Sequence, residues 1–535
     1  PRASSPEPRV PSPEPRASRP APLCYHSPAM TELAIDGLSL TLADVRAVAS
    51  GEAKVILSAP ARQRMLASRA VIESMVREGR TVYGVTTGFG VFSEVAISRE
   101  KVLELQKNLI LSHCAGVGEP YPVEVVRAMM LLRANALARG NSGIRIEVVE
   151  RLLRLIESGM TPVVPSQGSV GASGDLAPLA HLAASLMGVG EMWHEGKRIA
   201  ASDALSRIGL EPVRYEAKEG IAMINGTQAI SAVGGLALER ARTLLDLADG
   251  IAAMTLDALR GTDAAFDPRI HALRPHAGQI TVARRMRNLV DGSPLRESHR
   301  SCGKVQDAYS LRCIPQVHGA VRDAVGFALS KLEIEINSVT DNPLIFPEDG
   351  QAISGGNFHG APVAMACDVA ALALTDLASI SERRIERLVN PQLSELPPFL
   401  VREGGINSGF MIAQVTAAAL VAESRALSHP ASVDSIPTSA NKEDHVSMGP
   451  TAAWKLSRIV ENVASVLTIE ILCAAQALEF HRPLTSSEPV EAMHRLVRSR
   501  VPVWESDRYL HADLMQVREM LPALASALST FDLDR

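Results

Sequence analysis

Residues 168–181 read Gly-Ser-Val-Gly-Ala-Ser-Gly-Asp-Leu-Ala-Pro-Leu-Ala-His, a run dominated by small side chains. Six of its first seven positions carry glycine, serine or alanine, so the backbone can fold back more tightly than ordinary residues allow. Residues 176–180 are apolar and contain an early proline, which is typical of a first helical turn. The run therefore predicts a tight loop that leads directly into a helix.

The tripeptide Ala172-Ser173-Gly174 within this loop is able to cyclise on itself. The Gly174 amide nitrogen has no side chain beside it and can bond to the carbonyl carbon of Ala172, which closes a five-membered ring with loss of water. Loss of the Ser173 hydroxyl as a second water leaves a methylene group conjugated to an imidazolone. The product is a strong electrophile that needs no imported cofactor.

The same residues also fit plainer interpretations. Ser173 or Asp175 is a suitable helix N-cap, and composition alone favours that interpretation. A phosphate-binding loop fits less well, because no Gly-Lys-Ser/Thr closes the run. A serine-hydrolase elbow requires Gly-x-Ser-x-Gly, whereas Gly174 directly follows Ser173.

Composition describes a long, weakly acidic and mainly aliphatic chain of 535 residues. A formal net charge of −5 gives no reason to expect nucleic acid or an anionic membrane as a partner. Apolar residues make up 46% but aromatic residues only 4%, which suits closely packed helices rich in alanine and leucine. The six cysteines form no Cys-x-x-Cys pair, so reduced thiols in the cytoplasm are expected and a metal cluster is not. No apolar run reaches the roughly 18 residues of a membrane helix.

Three segments are predicted along the chain. Residues 1–29 repeat Pro, Ser, Arg and Glu, and we expect a disordered extension without a secretory signal. Residues 30–227 form an irregular N-terminal portion that carries the glycine loop. Residues 228–535 form a long antiparallel helical bundle with C-terminal helices, so the expected fold class is mainly α. Helices are predicted at about 42–50, 60–79, 99–112, 122–138, 145–157, 228–260, 307–335, 360–390 and 410–428.

Two patterns within the bundle refine this expectation. Leu456, Val460, Val463, Leu467 and Ile471 recur at helical spacing and predict an apolar stripe on one side of a helix. The charged cluster at residues 382–387 is interpreted as a solvated face or a contact between subunits.

Residues 168–181 resemble the signature of the aromatic amino acid ammonia-lyases, and the similarity runs from about Leu40 to about Leu484. In that family Ala-Ser-Gly matures into methylidene-imidazolone (MIO). The resemblance implies that Ala172, Ser173 and Gly174 form MIO, that neither a metal nor an external cofactor is needed, and that ammonia is eliminated from an aromatic amino acid. It also implies a homotetramer whose active sites are shared among chains.

Elimination of ammonia also requires a base for the β-proton and an anchor for the carboxylate. Tyr83 is the candidate base, because its loop matches the family motif; a tyrosine pKa near ~10 must then be lowered by neighbours. Thr86 in the same loop resembles the phenylalanine and tyrosine branch of the family. Arg312 is the candidate carboxylate anchor, since a guanidinium matches a carboxylate with two donors; otherwise it is a surface ion-pair residue.

The resemblance assigns four further residues to the site. Tyr309 shares a helical face with Arg312, with Gln306 one turn earlier, and the resemblance implies that Tyr309 and Gln306 lie near the electrophile. Asn225 is implied to hydrogen-bond the MIO oxygen or the substrate carboxylate, although by itself it is a typical turn residue. Phe358 is implied to be a pocket wall and is otherwise an ordinary core aromatic.

Two positions bear on the substrate. Ser112-His113 stands at the position where members of the phenylalanine and tyrosine branch of the resembled family carry His-Leu or Phe-Leu. A polar pair at this position suits an imidazole better than a phenyl ring. Glu443 can accept a hydrogen bond from an imidazole N–H, whereas that branch carries a neutral amide there. Without the family, Glu443 is a solvated loop charge and His113 a core histidine. Together the two positions favour L-histidine as substrate and trans-urocanate as product.

Two alternatives remain open. The same electrophile suits a tyrosine or phenylalanine lyase, or an aminomutase that returns the ammonia to the β-carbon. A catalytically silent helical scaffold is the more distant alternative, which would have no use for Tyr83, Asn225, Arg312 and an intact Ala172-Ser173-Gly174.

Overall fold

The computed structural model describes residues 31–87, 97, 101–301 and 303–534. Predictions for residues 1–29 and 88–90, and for Cys24 and Cys302, lie outside the described residues. Helices dominate the described part of the chain and strands are short, so the mainly α prediction is confirmed.

The α-helices are α1 (Leu42–Ser50), α2 (Ala59–Arg77), α3 (Val102–His113), α4 (Val123–Ala138), α5 (Ile146–Ser158), α6 (Leu176–Leu186), α7 (Ala201–Arg207), α8 (Glu219–Ile224), α9 (Gln228–Ala258), α10 (Pro268–Ala272), α11 (Ala277–Val290), α12 (Pro294–Glu297), α13 (Tyr309–Arg312), α14 (Ile314–Glu335), α15 (Ala361–Val389), α16 (Met411–Leu427), α17 (Gly449–Leu478), α18 (Glu488–Arg500) and α19 (Leu510–Ser529). The strands are β1 (Thr31–Ile35), β2 (Ala53–Leu57), β3 (Val117–Pro120), β4 (Thr161–Pro162), β5 (Pro165–Gln167), β6 (Glu191–His194), β7 (Lys197–Ala200), β8 (Leu344–Phe346) and β9 (Gln351–Ile353).

Local sequence signals set the ends of α1 as predicted. The Thr41 hydroxyl accepts a hydrogen bond from the Asp44 backbone, and the Asp44 carboxylate accepts one from the Thr41 backbone, which is a complete capping box. Gly51 ends the helix with a left-handed φ of 82°, a conformation that favours glycine.

The single helix predicted over residues 307–335 is wrong. The chain forms two helices, α13 and α14, which meet at Cys313. Pro315 lies in the first turn of α14, where its missing N–H is tolerated, so a new helix starts there. Gln306 precedes α13 in irregular backbone, so its predicted place one helical turn before Tyr309 is also wrong.

The long helices pack as an antiparallel bundle in which α17 contacts α9, α15 and α16. Leu456, Val460, Val463, Leu467 and Ile471 are all fully buried, as their spacing predicts. The prediction of a one-sided stripe is wrong, however, because α17 is buried on nearly all sides by its neighbours.

Two bundle helices, α15 and α17, are long and apolar enough to cross a membrane by length and composition. From the sequence we expect no apolar run of that length, and the longest one noted there, residues 410–422, lies outside both helices. In their most apolar windows 72% and 89% of the residues are buried within the protein. Both are therefore core helices of the bundle.

The charged cluster on α15 is not a solvated face throughout. Arg384 is fully buried, and its Nε lies 2.6 Å from Oε1 of Glu470, which is also fully buried. A buried guanidinium requires such a partner, because an uncompensated charge in the core is strongly destabilising. The partner comes 86 residues later in the chain, on α17.

Small sheets accompany the helices, and one of them leads into the glycine loop. β3 pairs with β5 antiparallel, with Val117 opposite Gln167, and β5 runs directly into the loop. β1 pairs with β2 in parallel, β6 lies between β4 and β7, and β8 pairs with β9. After the loop, α6 packs against α3 and α8, which also contact each other.

Candidate active site

Glycines at two positions set the shape of the loop that precedes α6. Gly174 has a φ of +74°, and a Cβ there would collide with the carbonyl group of Gly226. That carbonyl oxygen accepts a hydrogen bond of 2.7 Å from the Asp175 amide. Gly171 has a φ of +66°, and a Cβ there would collide with Ser447 Oγ, which donates to the Gly171 carbonyl at 2.9 Å. The loop therefore excludes side chains at both glycines.

Asp175 connects the loop to another helix. It occupies the N-cap position of α6 but makes no side-chain capping bond there. Its Oδ2 instead accepts a hydrogen bond of 2.8 Å from the Ile230 amide in the first turn of α9, and Ser169 Oγ donates to Oδ1 at 3.3 Å. Asp175 is fully buried, and this burial raises the pKa of its carboxyl to about 7. The N-cap interpretation is thus corrected: this carboxylate caps α9, not α6.

Asn225 holds the centre of the tripeptide. It follows α8, and its Nδ2 donates a hydrogen bond of 2.9 Å to the Ser173 carbonyl oxygen. Arg133 stabilises the end of α8 and Asn225. Its fully buried guanidinium donates hydrogen bonds to the carbonyl oxygens of Ala222 at 2.7 Å and Asn225 at 2.9 Å. Arg133 is not among the residues predicted from the sequence, although a lone arginine in the apolar middle of α4 is a detectable signal.

The Glu443 carboxylate lies against the tripeptide. Ser173 Oγ donates to Glu443 Oε1 at 2.7 Å, while Thr438 and Ser439 donate to Oε2 at 2.7 and 2.8 Å. Burial by itself raises the pKa of this carboxyl, but the hydrogen bonds from Thr438, Ser173 and Ser439 outweigh it and lower the pKa below its ordinary value. Glu443 is therefore an ionised acceptor at neutral pH rather than a solvated loop charge.

A strained turn carries Glu443. Ser439, Ala440 and Asn441 have φ values of +51°, +54° and +63°, which non-glycine residues rarely adopt. The backbones of Thr438 and Glu443 pair on either side of the turn, with the Thr438 amide donating to the Glu443 carbonyl at 2.9 Å. Left-handed residues of this kind cost about 1–3 kcal/mol each and cluster at functional sites.

A cavity of about 480 Å³, the active-site cavity, opens beside the tripeptide. It brings together seven residues singled out from the sequence: Tyr83, His113, Ala172, Ser173, Asn225, Phe358 and Glu443. They come from separate parts of the chain, including α3, the glycine loop, the residue after α8 and the Glu443 turn. Tyr83 and Phe358 are both half-buried there.

His113 presents a defined ring to this cavity. Its Nδ1 donates to the Leu109 carbonyl oxygen at 2.8 Å, since a carbonyl can only accept. Burial lowers the pKa of the imidazole, which outweighs the opposing effects of that hydrogen bond and of the Glu443 charge. The ring is therefore neutral with a hydrogen on Nδ1, and Nε2 carries the lone pair.

The cavity also contains residues that the sequence analysis misses. His359 and His445 lie with their rings parallel and their centroids 5.8 Å apart, and His359 Nε2 contacts the His445 carbonyl oxygen at 3.2 Å. Asn342, Lys442 and Asp444 line the cavity as well. His359, Lys442 and Asp444 directly adjoin a predicted site residue, which is the one signal that sequence offers; Asn342 and His445 do not.

Gln306, Tyr309 and Arg312 do not line the active-site cavity. They line a separate shallow cavity of the same chain. Tyr309 is 71% exposed, and the Arg312 guanidinium lies 4.5 Å from the centre of its ring, so these two share a face as predicted. Arg312 is half-buried, and its Nε is buried without a hydrogen-bond partner among the described residues. A single chain therefore places the predicted carboxylate anchor apart from the electrophile.

The described residues contain no group of three or more histidine, cysteine or acidic side chains arranged to hold a metal ion. Chemically, the cavity combines a carbonyl held by an amide donor, a serine hydroxyl held by a carboxylate, a tyrosine and a neutral histidine. Such a set can bind a polar ring and move a proton, and it lies beside the backbone of Ala172-Ser173-Gly174.

Comparisons with known proteins give a consistent result. A family model described as "Aromatic amino acid lyase" matches residues 40–499. The histidine ammonia-lyase of Caldanaerobacter subterraneus is 54% identical over 485 residues, covering 91% of this chain and 95% of that protein.

Solved structures agree with the sequence comparison. The crystal structure of histidine ammonia-lyase from Trypanosoma cruzi has a TM-score of 0.88 at 45% identity and covers 94% of this chain and 96% of its own. The tyrosine aminomutase of Streptomyces globisporus has a TM-score of 0.89 at 38% identity, with 94% and 99% covered. The sequence relatives are named histidine ammonia-lyase, which is a carbon–nitrogen lyase. The chain belongs to the aromatic amino acid lyase family.

Proposed function

We propose that this protein eliminates ammonia from L-histidine to give trans-urocanate. The observation that carries the proposal is the ionised Glu443 carboxylate, which lies 2.7 Å from the hydroxyl of Ser173 in the same cavity as His113. An imidazole ring offers an N–H to this carboxylate, whereas a phenyl ring offers none. The similarity to proteins named histidine ammonia-lyase supports the same substrate.

Members of this family use MIO, and we propose that Ala172, Ser173 and Gly174 form it here. The cradle fits the group, because Gly174 excludes a side chain and Asn225 already donates to the Ser173 carbonyl, which would become the ring carbonyl. When formed, MIO supplies an electrophile that makes the substrate amine a better leaving group. Asn225 would hold negative charge on that oxygen as an oxyanion-type donor.

Tyr83 is the proposed base for the β-proton. It lines the active-site cavity together with Ser173, so a substrate bound between them can present its β-carbon to the phenol. His113 and Glu443 are proposed to hold the two ends of the substrate imidazole. The ring's N–H would donate to Glu443, and the lone pair on His113 Nε2 would accept from a protonated ring nitrogen or a bridging water.

Gln306, Tyr309 and Arg312 are proposed to act in the active site of a neighbouring subunit. Their separation from the active-site cavity within one chain, the exposure of Tyr309 and an Arg312 Nε without a partner among the described residues support sites shared between chains. The homotetramer itself is proposed from the family resemblance. In that assembly Arg312 would bind the substrate carboxylate with two donors. Free thiols at the four described cysteines support a reducing compartment such as the cytoplasm.

The test is the absorbance of the product. We expect purified protein to release ammonia from L-histidine and to form urocanate, which absorbs in the ultraviolet at a different wavelength from coumarate or cinnamate. Efficient formation of coumarate or cinnamate with no urocanate would instead favour the tyrosine or phenylalanine lyase. A β-amino acid as the main product would favour an aminomutase.

Replacing Glu443 by glutamine is expected to impair the reaction of histidine selectively. The amide is isosteric but uncharged, so it loses the charge-assisted hydrogen bond to the imidazole. We expect kcat/KM for L-histidine to fall about 10²-fold and any tyrosine or phenylalanine turnover to change little. Glu488→Gln, which removes a carboxylate paired with Arg495 on the exposed side of α18, is the matched control. Equal losses on all three substrates would contradict the proposed role.

Mixing two inactive variants is expected to restore activity if sites are shared. A Ser173→Ala subunit cannot form the electrophile, and an Arg312→Ala subunit lacks the carboxylate anchor. A site formed between the two subunits can contain Ser173 from one and Arg312 from the other. Random mixing of equal amounts should restore about a quarter of the wild-type activity, since each residue is intact with a probability of about one half. Isolated mixed oligomers with no more activity than their parents would contradict the sharing of Ser173 and Arg312 between chains.

A further inference from the structure

His181 on α6 contacts the segment that carries His113. Its Nε2 accepts a hydrogen bond of 3.2 Å from the Gly116 amide. An N–H donor requires a lone pair on Nε2, so the ring is neutral with its hydrogen on Nδ1. Burial lowers the pKa of this imidazole, which keeps the acceptor available.

The packing around Gly116 leaves little room for a side chain. A Cβ at Gly116 would lie 3.1 Å from His181 Nε2 and 3.2 Å from Pro165 Cβ, and a Cβ at Gly168 would lie 3.1 Å from the Gly116 Cα. Gly116 is therefore enclosed by the His181 ring, strand β5 and the first residue of the glycine loop.

The hydrogen bond joins two elements that each adjoin a residue lining the active-site cavity. α6 begins directly after the loop that contains Ser173, while Gly116 lies between α3, which ends at His113, and β3. His113 and Ser173 both line the cavity. The bond from Gly116 to His181 thus ties the helix behind the electrophile to the segment that presents the His113 ring.

We propose that His181 is a positioning residue that sets the distance between His113 and Ser173 and so tunes recognition of the substrate imidazole. This inference rests on the proposed function. His181 does not line the active-site cavity and acts through the backbone at Gly116. Small displacements of a recognition group have large kinetic effects, because substrate orientation depends on them.

The test compares His181→Phe, which keeps a planar ring but removes the acceptor, with His181→Gln, which restores an acceptor. For His181→Phe we expect KM for L-histidine to rise about tenfold, kcat to change less than about threefold, and Ser173 maturation to stay complete by intact mass. His181→Gln should bring KM back to within about threefold of wild type. Ser185→Ala removes a different hydrogen bond from α6 and is the matched control.

A double variant separates positioning from a general structural effect. If His181 acts through His113, then adding His181→Phe to His113→Ala should raise KM no further. Multiplied effects in the double variant, or an unchanged KM in His181→Phe, would overturn the inference. If His181→Phe does not fold, His181→Met replaces it in the same comparison. Absence of histidine turnover in the wild-type protein would contradict the proposed function instead, so the two failures are distinguishable.

Discussion

Replacing Ser173 by alanine is expected to reduce ammonia elimination by about 10³-fold or more while the fold is retained, since the electrophile carries the difficult chemistry. Alanine has no hydroxyl to lose, so no methylene can form at position 173. The Ser173 hydroxyl makes its hydrogen bond to Glu443, a residue that Thr438 and Ser439 also hold, so its loss leaves the Glu443 turn supported. The measurement is kcat for L-histidine together with circular dichroism and the oligomeric state.

The control for this variant is Ser206→Ala. Ser206 donates to the Ser202 carbonyl on the exposed side of α7, and its loss is expected to leave the rate unchanged. Turnover by Ser173→Ala within a few-fold of wild type would show that the elimination does not depend on a group derived from Ser173.

Replacing Tyr83 by phenylalanine is expected to lower kcat by about 10²- to 10⁴-fold, the usual contribution of a positioned general base. Phenylalanine keeps the ring that lines the active-site cavity and removes only the phenolic oxygen. KM for L-histidine should therefore change little. Single-turnover and steady-state rates of urocanate formation, measured from neutral to alkaline pH, test the prediction.

Tyr509→Phe is the matched control, because this tyrosine is 75% exposed and lies beside His511 at the start of α19. The Tyr83 variant should also show complete maturation by intact mass, which separates loss of a base from loss of the electrophile. An unchanged kcat in a fully matured Tyr83→Phe protein would remove Tyr83 from the role of base.

The features that sequence predicts well are local ones. The loop at residues 168–174 and the helix after it follow from small residues and an early proline, because these act within a few positions. The capping box of Thr41 and Asp44 and the end of α1 at Gly51 are predictable for the same reason. Family resemblance adds the seven residues that line the active-site cavity, which no spacing rule brings together.

The features that sequence does not predict depend on distant partners. Asp175 resembles an N-cap of α6, but its carboxylate binds the Ile230 amide, 55 residues later. Arg384 resembles a surface charge until Glu470 is known to face it in the core. The separation of Arg312 from the active-site cavity likewise cannot be predicted from the sequence, because helical periodicity carries no information about neighbouring chains.

The same limit applies to the left-handed turn at residues 439–441. None of these residues is a glycine, and only Asn441 belongs to a residue type that is enriched at positive φ, so the local sequence does not predict a run of three. The turn is explained only by its surroundings, where Thr438, Ser439 and Ser173 all donate to the Glu443 carboxylate. Strain of this kind persists because the neighbouring contacts hold it in place.

The most direct test of the central claim is the intact mass of the folded, active protein. Ring closure and dehydration of Ala172-Ser173-Gly174 remove two waters, so the protein should weigh about 36 Da less than its sequence requires, with the loss confined to the peptide that contains residues 172–174. An active preparation of full sequence mass, with Ser173 still carrying its hydroxyl, would contradict the account.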